Sequence, residues 1–339
     1  MSSFIKSVEP SILNNVEDIL SGDRRALAKA ITLVESERKD HKKLAQRLLN
    51  QLLPYSGNAL RIGISGSPGV GKSTLIEVFG LYLIKLKKRL AVLTIDPSSV
   101  ISGGSILGDK TRMELLSRES DVYIRSSPSS GATGGLARRT RETMLICEAA
   151  GYDVILIETV GVGQSETAVA ELADFFVLLV QPGGGDDLQG IKRGVMELAD
   201  LVVITKADGE LTDVAAKTQS DYRAALSLIQ KRESRLHPQV LSCSAHESKG
   251  MEDIWAVINQ YYNTSLKAGE FEDKRDKQKV AWMWQEIQEQ LISKLKNNED
   301  IQKFAVKLES EVVEGRKTSS EAAALILTKF QNLSDTKVN

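Results

Sequence analysis

The 339-residue sequence predicts an α/β fold, in which a doubly wound, mostly parallel sheet is flanked by helical extensions at both ends. Between residues 60 and 265, short aliphatic runs alternate with helix-like segments. These runs are continuously apolar instead of alternating with polar residues, which is typical of strands that helices cover on both faces. The predicted strands are 60–65, 91–96, 121–126, 153–158, 176–180, 201–205 and 239–243.

The predicted α/β domain spans residues 56–268, and the segments on either side of it are helical in character. Within residues 1–55, apolar side chains recur near helical spacing in "VEDILSGDRRALAKAITLVES", and Pro54 marks the turn that ends this extension. The charged stretch "FEDKRDKQ" (271–278) begins a C-terminal arm, which we assign to 269–339. An apolar face of this arm either packs on the chain's own core or forms a dimer; it comprises Val280, Met283, Ile287, Leu291 and Leu295.

Composition excludes several classes of protein. Hydrophobic residues make up 42% and charged residues 26%, and 44 basic residues balance 45 acidic ones, so no broad basic surface for nucleic acid is expected. No apolar run is long enough to cross a membrane, and "MSSFIKSVEP" lacks the apolar core of a signal peptide. The two cysteines, Cys147 and Cys243, are expected to be reduced core thiols of a cytoplasmic protein.

The strongest chemical signal is "GSPGVGKS" (66–73), which matches the phosphate-binding pattern G-x-x-x-x-G-K-[ST] between a predicted strand and a predicted helix. Its glycines allow the backbone N–H groups to turn inward around phosphate oxygens, and the helix N-terminus adds partial positive charge. We expect Lys72 to reach the β- and γ-phosphates and Ser73 to bind Mg²⁺. The predicted nucleotide-binding residues here are Gly66, Ser67, Pro68, Gly69, Val70, Gly71, Lys72, Ser73 and Thr74.

A second signal concerns the base. "TKAD" (205–208) follows a predicted strand, at the place where GTPases carry Asn or Thr and then Lys-x-Asp. The Asp208 carboxylate can accept hydrogen bonds from the N1–H and 2-amino groups of guanine, and adenine offers no such pair of donors. Lys206 would lie along the base plane. Thr205 completes the motif, although its hydroxyl cannot reproduce the two-pronged contacts of an asparagine amide. Ser244 and Ala245, in "SCSA" (242–245), are expected to close over the guanine.

Acidic and hydroxyl side chains at predicted strand ends are candidates for a Mg²⁺ site. Mg²⁺ prefers oxygen ligands and retains several waters. Asp96 ends the second strand, Glu158 ends the fourth, and Asp109 lies in "GDKTRM" (108–113). With Ser73, these residues are expected to hold the ion directly or through water, because ligands bind at the carboxyl ends of such sheets.

Taken together, these motifs resemble the MeaB/ArgK-type P-loop GTPases that are associated with methylmalonyl-CoA mutase. The resemblance covers nearly the whole chain, and its residues are "GSPGVGKST" (66–74), "IDPSS" (95–99), "GGSILGDKTRM" (103–113), "IETVGVGQSE" (157–166), "GGGDDLQGIKRG" (183–194) and "TKADG" (205–209). It implies GTP and GDP as ligands, Mg²⁺ as cofactor and a homodimer formed by the C-terminal helices. It also implies a chaperone of an adenosylcobalamin-dependent acyl-CoA mutase, in which GTP hydrolysis gates cofactor delivery from an adenosyltransferase and protects or reactivates the mutase.

The resemblance also suggests catalytic residues. Lys72, Glu158, Gly161 and Lys192 are the candidates: the Gly161 N–H is expected to sense the γ-phosphate, and Lys192 either approaches the phosphates or is a surface charge at a helix start. Val162 stands where a water-positioning glutamine would follow Gly161, so we expect slow hydrolysis by the isolated protein. In "LARRTRE" (136–142), a solvated helix face is expected in preference to an arginine finger.

Two other classes of function stay open. An ATP-dependent kinase linked to amino-acid transport would need an acceptor site and a base, and the sequence shows no such group of residues. A metal-chaperone GTPase of related fold would usually carry His- or Cys-rich tracts. The three histidines are scattered here and the cysteines are not paired in the sequence, so this alternative is disfavoured.

Overall fold

The computed structural model describes residues 15–96, 113–128, 133–159, 165–183, 193–228 and 237–335. The helices are α1 (Asn15–Leu20), α2 (Arg24–Glu35), α3 (Lys39–Leu52), α4 (Lys72–Lys85), α5 (Glu114–Ser117), α6 (Thr133–Ala149), α7 (Ser165–Leu172), α8 (Arg193–Leu198), α9 (Thr212–Leu228), α10 (Met251–Ala268), α11 (Glu270–Lys296), α12 (Glu299–Val313) and α13 (Ser319–Asp335). The strands are β1 (Leu60–Gly66), β2 (Leu90–Asp96), β3 (Val122–Pro128), β4 (Val154–Thr159), β5 (Phe175–Val180), β6 (Leu201–Ile204) and β7 (Gln239–Ser242).

The seven described strands form one sheet in the order β3-β2-β4-β1-β5-β6-β7, and each neighbouring pair is parallel. The predicted α/β fold is therefore confirmed. Helices α4 and α10 lie on one face of the sheet, and α6 and α7 lie on the other. The central strands β1, β4, β5 and β6 are buried along their whole length, which explains their continuously apolar sequences.

The N-terminal helices pack on the α6 side of the sheet. Asp23 caps α2, because its carboxylate accepts hydrogen bonds from the backbone N–H groups of Arg25 (3.0 Å) and Ala26 (2.7 Å). The apolar residues at helical spacing, Leu27 and Ile31, are fully buried. Both α2 and α3 contact α6. The N-terminal helices thus help to cover one face of the sheet.

The chain divides into two compact units, one ending at Gln278 and the other beginning at Lys279. Helix α11 contributes residues to both units. The boundary after residue 268, between the α/β domain and the C-terminal arm, stays a prediction from the sequence. In the second unit, four of the five residues of the predicted apolar face are exposed: Val280 is 54% exposed, Met283 50%, Ile287 37% and Leu291 52%. The fifth, Leu295, is partly buried. No described helix combines the length and the apolar character needed to cross a membrane. Cys147 and Cys243 are both buried free thiols, as predicted.

Candidate functional site

The phosphate-binding loop connects β1 to α4 at the carboxyl edge of the sheet. A Cβ on Gly66 would lie 2.6 Å from the carbonyl oxygen of Leu179, so only glycine fits beside β5 at this point. Gly71, at φ +96°, is in the left-handed region and turns the chain into the helix. The buried Lys72 ammonium donates to the carbonyl oxygens of Gly66 (2.8 Å) and Ser67 (3.1 Å). Its positive charge therefore lies directly over the loop.

Two of the predicted metal ligands meet beside this loop. The Ser73 hydroxyl, in the first turn of α4, donates to Glu158 Oε1 at 3.3 Å. Glu158 lies near the carboxyl end of β4 and is only 4% exposed. Two oxygen ligands at this separation fit one small octahedral cation, whose ligand oxygens lie about 2.0–2.1 Å from the metal. The described residues therefore fit a Mg²⁺ ion held by Ser73 and by Glu158 directly or through a bound water.

Several predicted residues lie outside the described part of the chain. Asp109, Gly161 and Lys192 belong to this group. Asp96 ends β2, at the same edge of the sheet as Glu158, but its side chain is not described. Thr74 follows Ser73 in the first turn of α4 and is exposed.

The end of β6 is bonded to the phosphate-binding loop. The buried Thr205 hydroxyl lies 2.7 Å from the carbonyl oxygen of Val70 and 3.2 Å from that of Val180, and its single proton can be donated to either. Lys206 adopts a left-handed backbone conformation, at φ +53°, and its ammonium donates to the Gly69 carbonyl oxygen at 2.8 Å. These bonds join the loop after β6 directly to the phosphate-binding loop.

The loop after β7 supports the predicted base-recognition residue. The Ser244 hydroxyl donates to the Asp208 carboxylate and accepts from the Glu247 N–H at 3.0 Å. The Ala207 N–H donates to the Cys243 carbonyl oxygen at 3.0 Å, which joins the two loops a second time. Burial, reinforced by the negative charge of Asp208, raises the pKa of the Cys243 thiol to about 12. Ala245 is partly buried in the same loop.

The structure also brings together residues that sequence reasoning missed. The hydroxyls of Ser65 and Thr159 lie 3.0 Å apart and are buried, at the carboxyl ends of β1 and β4. Hydroxyl residues at the ends of two apolar strands could have signalled this pair. Arg139, which we expected on a solvated face of α6, is 5% exposed and donates to Glu37 at 2.7 Å. That expectation is wrong for Arg139, because the N-terminal helices cover this side of α6.

The chain is similar to known GTPases over most of its length. A family model described as methylmalonyl-CoA mutase-associated GTPase MeaB matches residues 27–300. A probable GTPase of Mycobacterium tuberculosis is 51% identical over 317 residues, which cover 94% of each chain. The mitochondrial methylmalonic aciduria type A homolog of Mus musculus is 47% identical over 324 residues, which cover 93% of this chain and 78% of that one.

One solved structure is similar over nearly the whole chain. It is described as a LAO/AO transport system kinase, and it is 35% identical in sequence with a TM-score of 0.76. The match covers 95% of this chain and 98% of the solved one. This chain and that solved structure therefore share the fold that carries the phosphate-binding loop.

Proposed function

Because this chain belongs to the MeaB family of methylmalonyl-CoA mutase-associated GTPases and hydrolyses GTP, we propose that hydrolysis serves an adenosylcobalamin-dependent acyl-CoA mutase. In this role the protein acts as a cytoplasmic chaperone of the mutase. Its nucleotide state gates the delivery of the cofactor from an adenosyltransferase and the protection or reactivation of the mutase. The observation that supports the mutase as client is the family match over residues 27–300.

Binding of GTP depends on groups from both loops. The N–H groups of the phosphate-binding loop point to phosphate oxygens, and Pro68, which has no N–H, adds none. The Lys72 ammonium, which contacts the carbonyl oxygens of the loop, turns to the β- and γ-phosphates. Asp208, oriented by Ser244, accepts from the N1–H and 2-amino groups of guanine. This pairing makes GTP the preferred triphosphate.

Hydrolysis transfers the γ-phosphoryl group to water, without a covalent intermediate on the protein. A bound Mg²⁺ would neutralise phosphate charge, and Ser73, Glu158, Asp96 and Asp109 are the residues that we propose would hold it. The Lys72 ammonium stabilises the charge that grows on the leaving β-phosphate oxygen. The Gly161 N–H and Lys192 are proposed to contact the γ-phosphate. Because no glutamine follows Gly161, turnover of the isolated protein is expected to be slow and to rise when the mutase binds.

A direct test of the mutase role uses cell extract from the organism that makes this protein. Immobilised protein is loaded either with GDP or with a non-hydrolysable GTP analogue, and the captured proteins are identified. We expect a cobalamin-dependent mutase to be retained, in amounts that differ between the two nucleotides. As a matched control, Lys72→Ala protein should lose this nucleotide dependence. Recovery of no cobalamin enzyme in either state would contradict the proposed client.

A kinase is the second candidate, because the solved structure with a TM-score of 0.76 is described as a transport system kinase. The two candidates differ in the nucleotide they use. Purified protein should bind GDP at least tenfold more tightly than ADP, and Asp208→Asn should weaken GDP binding and gain xanthine nucleotide binding. The reason is that an asparagine amide can donate to the 2-oxo group of xanthine, whereas Asp208 cannot. Tighter binding of ATP than of GTP would instead favour the kinase.

We also propose that the exposed apolar face of α11 binds a second copy of this chain. Val280, Met283, Ile287 and Leu291 recur at intervals of three or four residues, so they form one stripe on the helix. Each is at least 37% exposed in the single chain. Sedimentation should show a dimer for the native protein and a monomer for Ile287→Glu, while Glu286→Gln serves as a control on the same helix. A native monomer at micromolar concentration would contradict this.

A further inference from the structure

One row of side chains across the sheet changes from apolar to polar beside the predicted metal site. On the face that α4 covers, the neighbouring residues Ile124, Val92 and Leu156 of β3, β2 and β4 form an apolar row. Two residues further along the same strands, the row consists of Ser126, Thr94 and Glu158. Because residues i and i+2 of a strand point to the same face, this polar row also points toward α4 and Ser73.

Within this polar row, Thr94 has a buried hydroxyl without a hydrogen-bond partner among the described residues. It is 1% exposed, and its Oγ1 has no hydrogen-bond partner within the described structure. A buried hydroxyl without a partner is costly, so such groups are uncommon. Thr94 lies in register with Glu158 on the neighbouring parallel strand, and adjacent strands lie about 4.7–4.9 Å apart. A rotation of either side chain therefore brings the hydroxyl into reach of the carboxylate.

Ser73 is one hydrogen-bond donor to the Glu158 carboxylate, and Thr94 is a candidate for a second. In the structure, the Ser73 hydroxyl donates to Glu158 Oε1 at 3.3 Å. Ser73 has a single hydroxyl proton, so it can supply the Glu158 carboxylate with one hydrogen bond at most. We propose that Thr94 is a positioning residue of the metal site, whose hydroxyl donates to the Glu158 carboxylate in the Mg²⁺-bound state. It fixes the carboxylate in the orientation that holds Mg²⁺ or its bound water.

This inference rests on the proposed metal site, and its test is a binding measurement that needs no turnover. Fluorescent N-methylanthraniloyl-GDP is bound to purified full-length protein, and MgCl₂ is titrated into it. Thr94→Val has the same shape without the hydroxyl, and we expect it to raise the half-saturating Mg²⁺ concentration five- to tenfold. Thr94→Ser keeps the hydroxyl and should stay within twofold of the native protein.

Thr143 provides a matched control. It lies in α6, is fully buried, and its Oγ1 also has no hydrogen-bond partner in the described structure, but it is on the opposite side of the sheet from Ser73. Thr143→Val should leave the Mg²⁺ titration unchanged. Without metal, neither valine variant should melt below the native protein, because each removes a buried hydroxyl that lacks a partner.

The outcomes distinguish a failure of the proposed role of Thr94 from a failure of the proposed metal site. An unchanged Mg²⁺ titration for Thr94→Val would overturn the role of Thr94 while leaving the metal site in place. A Thr94→Ser variant as impaired as Thr94→Val, or a Thr94→Val variant equally destabilised with and without Mg²⁺, would assign the residue to packing and overturn the proposal. If native protein binds the GDP analogue equally well at all Mg²⁺ concentrations, the proposed metal site itself fails, and the role of Thr94 fails with it.

Discussion

The start of α11 is bound to the sheet through a buried ion pair whose loss we expect to be expensive. Arg275 donates from Nε to Asp174 Oδ1 at 2.9 Å and from Nη2 to Asp174 Oδ2 at 2.6 Å. The guanidinium also donates to the carbonyl oxygens of Ala59, at 2.6 Å, and of Gly57. The two side chains are 8% and 1% exposed. Burial alone would lower the pKa of Arg275, but the hydrogen bond and charge of Asp174 outweigh it and raise the pKa.

The perturbation is Arg275→Met, which keeps most of the side-chain volume but removes all of these donors. Asp174 would then be a buried carboxylate whose described donor is the Arg61 N–H, at 2.8 Å. Removing one partner of a buried pair typically costs about 3–5 kcal/mol, so we expect a loss of that size in the free energy of unfolding. Because Asp174→Asn removes the remaining charge, the Arg275→Met/Asp174→Asn double variant should recover about 2 kcal/mol relative to the sum of the single variants.

The assay is unfolding in guanidinium chloride, monitored by circular dichroism, with the free energies compared near the midpoint. Arg118→Met is the control, because Arg118 pairs with Glu114 on the surface, where both side chains are more than 60% exposed. That variant should cost less than about 0.5 kcal/mol. Binding of a fluorescent GDP analogue at low denaturant should survive in all variants, since the buried pair lies at the amino ends of the strands. A cost below about 1 kcal/mol for Arg275→Met, or strictly additive single variants, would refute the reasoning.

Three further predictions concern the nucleotide site and the buried thiols. Gly66→Ala should destabilise the fold by about 1–3 kcal/mol and weaken GDP binding, because its Cβ would lie 2.6 Å from the Leu179 carbonyl oxygen; unchanged calorimetric affinity would contradict this. Thr205→Val should weaken GDP binding about tenfold by removing the bond to the phosphate-binding loop, whereas Thr205→Ser should retain it. Cys147 and Cys243 should resist thiol reagents at pH 8 until the protein unfolds, since burial raises both thiol pKa values. The contribution of Cys243 to stability is complete below the ordinary thiol pKa of 9.0 and falls as the pH rises toward about 12, which alkaline unfolding curves would measure.

The positions of the two candidate nucleotide loops were predictable, because each is a local motif that follows an apolar strand. "GSPGVGKS" matches a phosphate-binding pattern and "TKAD" resembles a guanine-binding one. The strands before both motifs are continuous apolar runs. Sequence did not reveal that the Thr205 hydroxyl bonds to Val70, which lies 135 positions earlier in the chain. The expected solvated position of Arg139 was wrong for a related reason, since the helical pattern of α6 does not show that the N-terminal helices cover it.

The sequence by itself determined the fold class, the family and the nucleotide chemistry, because apolar periodicity and glycine-rich loops act over short stretches of chain. The tertiary structure alone decided which residues meet across the sheet. Strand β1 lies between β4 and β5, and this order brings Ser73 to Glu158 and Arg275 to Asp174, pairs that are 85 and 101 residues apart in the chain. Strand order and register follow from the packing of the whole domain, since most buried polar groups find their partners within the same folded core.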